Sequence, residues 1–451
     1  MTLRLASFGM RGFIGDSLSL RAVMDYTSAF ATYLDGGRIL LARDTRASSP
    51  MLHAAAQAAL MSSGCEIHDL GICPTPLAQF ATPALHAAGA LSISGGHHAA
   101  GWNALTLIDS TGALIEPVGG EAILDVYHAG DFIRCDAHHM GSVRNASDLS
   151  EPYFTRLAQT VDLHAIRAAN FTVLIDPVAG AGCPFLDAFA HTFGFNLVAI
   201  NAQMSGYLPR EAEPRPRSAL PLAAFIKHVK GHVGFVLSSD MGRMSMVTET
   251  GEPVSEEMTF ALLANHVLTK HPGPLATNCC TTRTIDDIAA RHNVPVTKTG
   301  VGQALVVAAV LDGGCVLGGE GSGSAVLPAF SRGFDGFMMM AHILEAMALN
   351  QQTLSTLLQQ LPRYHIVKRR IPSEPHRAYP LIEQLAEETI RREGPAERDL
   401  TDGIRLDWES GWMHLRASQT EQVIRILSED HQRETAEARA ERAVRWLSES
   451  R

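Results

Sequence analysis

Arg38-Ile39-Leu40-Leu41-Ala42-Arg43-Asp44-Thr45-Arg46 sets a short apolar run against a polar turn, and Pro50 to Met61 follows with helical periodicity. A second apolar run, Glu66 to Leu70, comes next, and Ala88 to Ser94 supplies another. Strand, helix and strand in that order are the pattern of a β-α unit. The pattern returns at Phe171 to Ile175, which predicts a strand leading through Asp176-Pro177 and Val178 to Gly182 into a helix from Pro184 and a strand at Asn196 to Ile200. A third block begins with a predicted helix over Glu256 to Thr269, with Ser255 as N-cap and Glu256 and Glu257 at the positive end of its dipole. It continues through a turn at Gly313-Gly314 and a strand at Cys315 to Leu317 into the glycine-rich run Gly318 to Gly323.

From about Tyr364 the pattern changes. Gly403 to Asp407, Met413 to Ala417 and Val423 to Leu427 predict strands, and Asp430 to Ser448 predicts a charged amphipathic helix, which together suggest a small antiparallel sheet with helices. The expected architecture is α/β, with three α/β domains and a C-terminal α+β domain. A chain of 451 residues with 46% hydrophobic content exceeds one core and fits roughly three or four domains.

Composition excludes several function classes. No apolar run reaches the ~18 residues of a membrane span, and Met1-Thr2-Leu3-Arg4 opens no signal-peptide core, so a cytoplasmic protein is expected. A net charge of −10 without a Lys/Arg stripe argues against nucleic acid and anionic membranes. Cys65, Cys73, Cys135, Cys183, Cys279, Cys280 and Cys315 are scattered with no C-x-x-C pair, so neither a disulfide framework nor a zinc site is expected.

The order of several short motifs resembles the α-D-phosphohexomutase superfamily of phosphomannomutases, phosphoglucomutases and phosphoglucosamine mutases. Phe8-Gly9-Met10-Arg11-Gly12 is similar to the family's opening motif, Ala42-Arg43-Asp44-Thr45-Arg46 to its Gly-Arg-Asp-Thr-Arg, and Pro74-Thr75-Pro76 and Ala212-Glu213-Pro214 to two further landmarks. Lys298-Thr299-Gly300-Val301-Gly302 resembles its Lys/Arg-Thr-x-x-Gly loop, and Gly318-Gly319-Glu320-Gly321-Ser322-Gly323 its sugar-binding loop, with Ser324 where the family has histidine. Arg416-Ala417-Ser418-Gln419-Thr420-Glu421 is similar to its phosphate-binding loop, with Gln419 in place of glycine.

The resemblance implies four domains around a central cleft, with boundaries near 1–147, 148–250, 251–362 and 363–451, and a hexose phosphate as ligand. It implies substrate-binding roles for Arg11, Arg243, Lys298, Glu320, Ser322, Arg416, Ser418 and Thr420. The side chains suit those roles: a carboxylate such as Glu320 accepts hydrogen bonds from adjacent sugar hydroxyls, and Arg416 offers a planar fork to phosphate. The plainer alternative is that Gly318 to Gly323 is a tight turn with a solvated glutamate, and Lys298 and Arg416 solvated charges.

Three departures concern the chemistry. Where the family carries a phosphoserine in Thr-Ala-Ser-His-Asn-Pro, this chain has Ser94-Gly95-Gly96-His97-His98-Ala99, which puts Gly96 at the nucleophile's place. Glycine has no side-chain atom to hold a phosphoryl group. Where the family supplies three carboxylates to magnesium, Ser238-Ser239-Asp240-Met241-Gly242-Arg243 keeps only Asp240, so no metal beyond a weakly held Mg²⁺ is expected and no cofactor is implied. A lysine that the family places after Tyr-Asn-Gly-x is Thr106 here.

The expected function is therefore a hexose-phosphate-binding homologue without phosphoserine and magnesium chemistry, acting alone or with a protein partner. Two alternatives stay open: a metal-independent enzyme acting on a phosphosugar through His97, His98 or Lys298, and a mutase using His97, His98 or Ser94 as substitute acceptor. The histidine pair also has a plain reading as loop residues, and Asp240 as a turn residue. A zinc site from His97, His98, His138 and His139 lacks ligand spacing.

Overall fold

The computed structural model describes residues 3–6, 8–418 and 422–450. Its first sheet holds β1 (Arg4–Ala6), β2 (Gly9–Phe13), β3 (Arg38–Arg43), β4 (Glu66–Ile72), β5 (Gly89–Ile93), β6 (Trp102–Asp109) and β7 (Ser142–Asn145), in spatial order β1-β2-β6-β5-β3-β4-β7. The second holds β8 (Thr172–Asp176), β9 (Asn196–Ala199), β10 (Val233–Leu237) and β11 (Met244–Thr248), ordered β11-β10-β8-β9. The third holds β12 (Leu275–Asn278), β13 (Val296–Thr299), β14 (Leu317–Glu320) and β15 (Ser324–Val326), ordered β13-β12-β14-β15.

One four-stranded order recurs in all three sheets. A first strand (β3, β8, β12) is flanked by two parallel neighbours, and the later of these pairs with an antiparallel strand that follows it directly (β5 to β6, β10 to β11, β14 to β15). Continuous apolar runs suit strands covered on both faces. Ile39, Leu40, Leu41, Val173, Leu174 and Ile175 are accordingly fully buried. The fourth sheet is antiparallel throughout: β16 (His365–Pro372), β17 (Glu397–Asp399), β18 (Ile404–Asp407), β19 (Gly411–Ala417) and β20 (Val423–Asp430), ordered β16-β20-β19-β18-β17. Among the described residues no helix is long and apolar enough to cross a membrane.

Some expected boundaries shift. The helix from Pro184 begins as a short 3-10 turn, Cys183–Phe185, and becomes α-helical over Leu186–Phe193. Asp430 ends β20, and the last helix is Arg433–Glu449. Ser255 stands at the N-cap of the helix Glu256–Lys270 without a capping bond from its hydroxyl. Glu256 and Glu257 of that helix's first turn instead hold Lys368 of β16, at 3.1 and 2.8 Å.

The strand expected at Cys315 to Leu317 lies later, at Leu317–Glu320, so half of the glycine run is strand rather than turn. Close packing on both faces explains its glycines. A Cβ on Gly318 would meet Val310 Cγ2 at 2.2 Å, and one on Gly319 would meet Phe260 Cδ2 at 2.4 Å. Glu320, at the strand's end, is 6% exposed and is not a solvated turn residue.

Candidate active site

The recurring strand order gives three loops the same place in the fold. Residues 94–101, 238–243 and 321–323 each join the last parallel strand of a unit to its antiparallel partner. Ligands of open α/β sheets bind beyond the carboxyl ends of parallel strands. Hydrogen bonds run from one loop to the next. Ser239 Oγ donates to the Gly96 carbonyl at 2.7 Å, and the Met244 N–H to the Gly323 carbonyl at 2.8 Å. Glu320 Oε1 accepts from the Gly302 N–H at 3.1 Å, and Asp402 Oδ2 accepts from both the Val301 N–H at 3.0 Å and Arg416 Nη1 at 2.7 Å. One continuous arc thus joins Gly96 to Arg416 through all four sheets.

At the first loop, the guanidinium of Arg46 is the organising group. It donates to the carbonyls of Gly96 (3.0 Å), His98 (2.8 Å) and Ala99 (2.9 Å), and its Nε is paired with Asp44 Oδ2 at 3.1 Å. Arg46 and Asp44 are 2% and 0% exposed. Ser94 turns inward: its hydroxyl donates to Asp44 Oδ2 at 2.9 Å and accepts the Gly96 N–H at 3.1 Å. It holds the loop's shape rather than facing a ligand. Gly96 has a φ of +53°, and a Cβ there would lie 2.9 Å from Asp240 Oδ2.

The second loop does not fit a magnesium ion. Asp240 Oδ1 already accepts from Ser238 Oγ at 2.6 Å and from the Gly242 N–H at 3.1 Å, the bonding of a turn aspartate. The nearby carboxylates are engaged elsewhere, Asp44 as above and Asp176 with Arg210 at 2.9 Å and Asn201 at 2.8 Å. A hard divalent ion wants several oxygen ligands, and this loop brings one carboxylate.

Cations gather beside these loops. Arg243 Nη1 and Arg215 Nη2 grip the two oxygens of Glu213 at 3.1 and 2.6 Å. Arg11 Nη1 lies 3.1 Å from His98 Nε2, and His98 Nδ1 lies 3.1 Å from the Gly95 carbonyl, so both ring nitrogens of His98 are engaged. Burial, then the charges of Arg11 and Arg243, lower His98 to about 4. Burial, Arg243, His98, Arg11 and Arg215 hold His97 well below its ordinary value. Both rings are therefore neutral at pH 7, and their centroids lie 4.3 Å apart with the planes tilted by 38°. His97 has no hydrogen-bond partner among the described residues. The His97, His98, His138, His139 quartet is not assembled: His139 sits on an exposed turn bonded to Asp136 at 2.8 Å.

Of the expected substrate residues, Glu320, Ser322 and Arg416 lie on the arc, with Ser322 Oγ 3.3 Å from Glu320 Oε2. Ser418 follows β19, its N–H donating to the Val423 carbonyl at 2.9 Å. Thr420 lies outside the described residues. Lys298 is placed apart from Glu320. It shares a sheet face with Thr277 and Gly319, and Glu320, one residue further, belongs to the other face. Its ammonium pairs with Asp286 at 2.8 Å and lines a cleft of about 560 Å³ with Arg283, Arg405 and Asp407. Both arginines of that cleft are paired with Asp407.

Arg46 and Arg215 were not singled out from the sequence as site residues. Arg46 stands in the quoted Ala42–Arg46 motif and Arg215 directly after Glu213-Pro214; what marks them is the hold of Arg46 on the carbonyls of Gly96, His98 and Ala99 and the charge of Arg215 near His97, neither of which is local in sequence.

Residues 5–134, 151–251 and 255–364 match the phosphoglucomutase/phosphomannomutase α/β/α domains I, II and III. A phosphoglucomutase/phosphomannomutase of Thermococcus kodakarensis is 31% identical over 451 residues, covering 98% of each chain. A probable phosphoglucosamine mutase of Pyrococcus abyssi is 30% identical, over 98% of this chain and 97% of the other. Among solved structures, a phosphoglucomutase/phosphomannomutase family protein of Burkholderia thailandensis superposes with a TM-score of 0.85 at 22% identity over 98% of each chain. A putative phosphomannomutase of Thermus thermophilus does so at 0.85 and 24% identity, over 100% of this chain and 99% of the other.

Proposed function

The chain belongs to the phosphoglucomutase/phosphomannomutase family, and from that premise we propose that it binds a hexose phosphate along the arc from Gly96 to Arg416 without phosphoserine or magnesium-dependent transfer. The observation that carries this reading is the state of the first loop. Its central residue, Gly96, has no side chain and a φ of +53°, its carbonyl is held by Arg46 and Ser239, and a Cβ there would lie 2.9 Å from Asp240 Oδ2. Phosphoserine carries about −1.5 to −2 charges, and a metal neutralises them during transfer. Without the serine, a metal ion held by a carboxylate triad has no such charge to neutralise.

The binding parts support the same reading. In this reading Glu320 accepts from sugar hydroxyls and Arg416, with Ser418, takes the phosphate, a role the sequence resemblance extends to Thr420. Arg11, Arg215 and Arg243 offer positive charge at the opposite end of the arc. We assign the expected domains, 1–147, 148–250, 251–362 and 363–451, to this division of labour and place the protein with its ligand in the cytoplasm. Hexose 1- and 6-phosphates tested in a thermal-shift assay, in parallel with an isomerisation assay, decide the matter. The expected result is stabilisation unchanged by chelator and no interconversion; magnesium-dependent interconversion would refute it.

A second reading is favoured by one observation: His97 is neutral, lacks a hydrogen-bond partner among the described residues and is surrounded by arginines that would bring an anion to it. A bound phosphate would offset the arginine charges that depress this imidazole, restoring basicity for taking a proton from the phosphosugar. His98, with both nitrogens engaged, is less suited to the task. Product that forms despite chelator and vanishes in His97→Ala would establish this reading.

A further inference from the structure

Cys279 and Cys280 lie beside the arc and take no part in the proposed binding. Adjacent residues of a strand face opposite sides, so neighbouring thiols meet one group only where the chain leaves the strand. It does so here. β12 ends at Asn278, whose side-chain oxygen accepts the Cys280 N–H at 2.9 Å while its carbonyl accepts the Thr281 N–H at 3.2 Å. The two sulfurs then converge on His414 of β19, in the fourth sheet. Cys280 Sγ is 3.2 Å from His414 Nδ1, and Cys279 Sγ is 3.8 Å from Nε2. The three donor groups lie within 4.8 Å of one another.

We propose that Cys279, Cys280 and His414 form a zinc-binding site that clamps the third sheet to the fourth. The spacing is close to what the ion needs: Zn–S bonds of about 2.3 Å and Zn–N bonds of about 2.0 Å in a tetrahedron put donors roughly 3.3 to 3.8 Å apart, against 3.2 Å from Cys280 Sγ to Nδ1 and no more than 4.8 Å among the three donor groups. Sulfur and imidazole donors without a carboxylate select a borderline-soft cation over magnesium or calcium. The imidazole is also oriented for it. His414 Nε2 is 2.6 Å from the Asp402 carbonyl, which can only accept, so the ring's N–H is there and the Nδ1 lone pair points to Cys280. Cys279 and His414 are buried at 1% exposure, whereas Cys280 is half-buried and gives the ion a way in. The remaining coordination position would take water.

The site sits one step from the phosphate-binding arginine. His414 and Arg416 are two apart on β19 and share a face, and Asp402 touches both, His414 through its carbonyl and Arg416 through its carboxylate. Zinc on His414 would therefore stiffen the strand and loop that present Arg416. The sequence carried no metal motif because the cysteines are adjacent and their third partner is 134 residues away.

Full-length protein stripped with chelator, then titrated with Zn²⁺ in competition with a chromophoric chelator and separately with Co²⁺, tests the proposal. We expect one equivalent of zinc per chain and sulfur-to-cobalt charge-transfer absorption. Cys279→Ser and Cys280→Ser should each weaken zinc at least about tenfold, and the double variant should abolish both signals. Because the buried Cys279 variant can fail to fold, the half-exposed Cys280→Ser, checked by its metal-free melting curve, carries the decision. Zinc binding unchanged in folded Cys280→Ser would overturn the proposal. So would no zinc uptake by the folded parent chain, or a Cys279–Cys280 disulfide that reductant cannot open for the metal.

Discussion

Gly96 is the residue on which the functional reading turns, and its backbone resists the obvious repair. At a φ of +53° an L side chain costs about 1 to 2 kcal/mol, and its Cβ would lie 2.9 Å from Asp240 Oδ2. Gly96→Ser should therefore lower stability by about that amount, read from urea unfolding, and still take no phosphoryl group, because Asp240 stands alone as a metal ligand. The depressed histidines make a pH prediction. A ring with an ordinary value of 6.5 when unfolded and about 4 when folded, as for His98, leaves the unfolded chain binding more protons between those values. Stability should then be full above pH 6.5 and fall as the pH drops toward 4. His98→Gln should flatten part of that slope in melting curves recorded across the range. Gly96 and Asp240 were legible in the sequence because a missing nucleophile and missing carboxylates are absences of residue types. The low basicity of His97 and His98 was not, since it depends on burial beside arginines contributed by Arg11 of β2 and by Arg215 and Arg243 from the second unit.

At the scale of elements, three strand-to-strand connections have been given one position and three different contents. The first is built on Arg46, whose guanidinium bonds three carbonyls of residues 96–99 and neutralises the buried Asp44. Removing one partner of a buried pair strands the other charge. Arg46→Ala should cost about 3 to 5 kcal/mol and speed amide exchange of Gly95 to Ala99, with little change at Gly318 to Gly323. The β-α alternation from Arg38 to Leu70 and from Phe171 to Ile200 could be read directly, because parallel strands buried on both faces leave continuous apolar runs. The glycine run was harder. Gly318 and Gly319 have the look of a turn in sequence, but the side chains that require them, Val310 and Phe260, come from helices on either side of the sheet. Lys298 shows the same limit: motif order places it with Glu320, whereas strand register sends it to Asp286 on the opposite face.

Across the whole molecule, the fourth sheet is held by a few polar links that the arc depends on. Arg283, at the start of the helix Thr284–Arg291, donates to the carbonyls of Trp408 (2.8 Å) and Glu409 (2.9 Å) and pairs with Asp407 at 2.8 Å. Arg283→Ala should loosen this junction, hastening protease cleavage near Tyr364 and weakening phosphosugar binding through Arg416, while the first sheet's exchange rates stay unchanged. The change of pattern at Tyr364 made the fourth unit visible in the sequence; its docking partners, spread from Glu256 to Val301, left no local mark. The most direct test of a binding arc without phosphoryl transfer is the intact mass of the protein after incubation with a hexose 1,6-bisphosphate. An unchanged mass, under conditions where the sugar phosphate demonstrably binds, is the predicted result. A covalent phosphoryl adduct on any residue of the loop from Ser94 to Ala99 would contradict it.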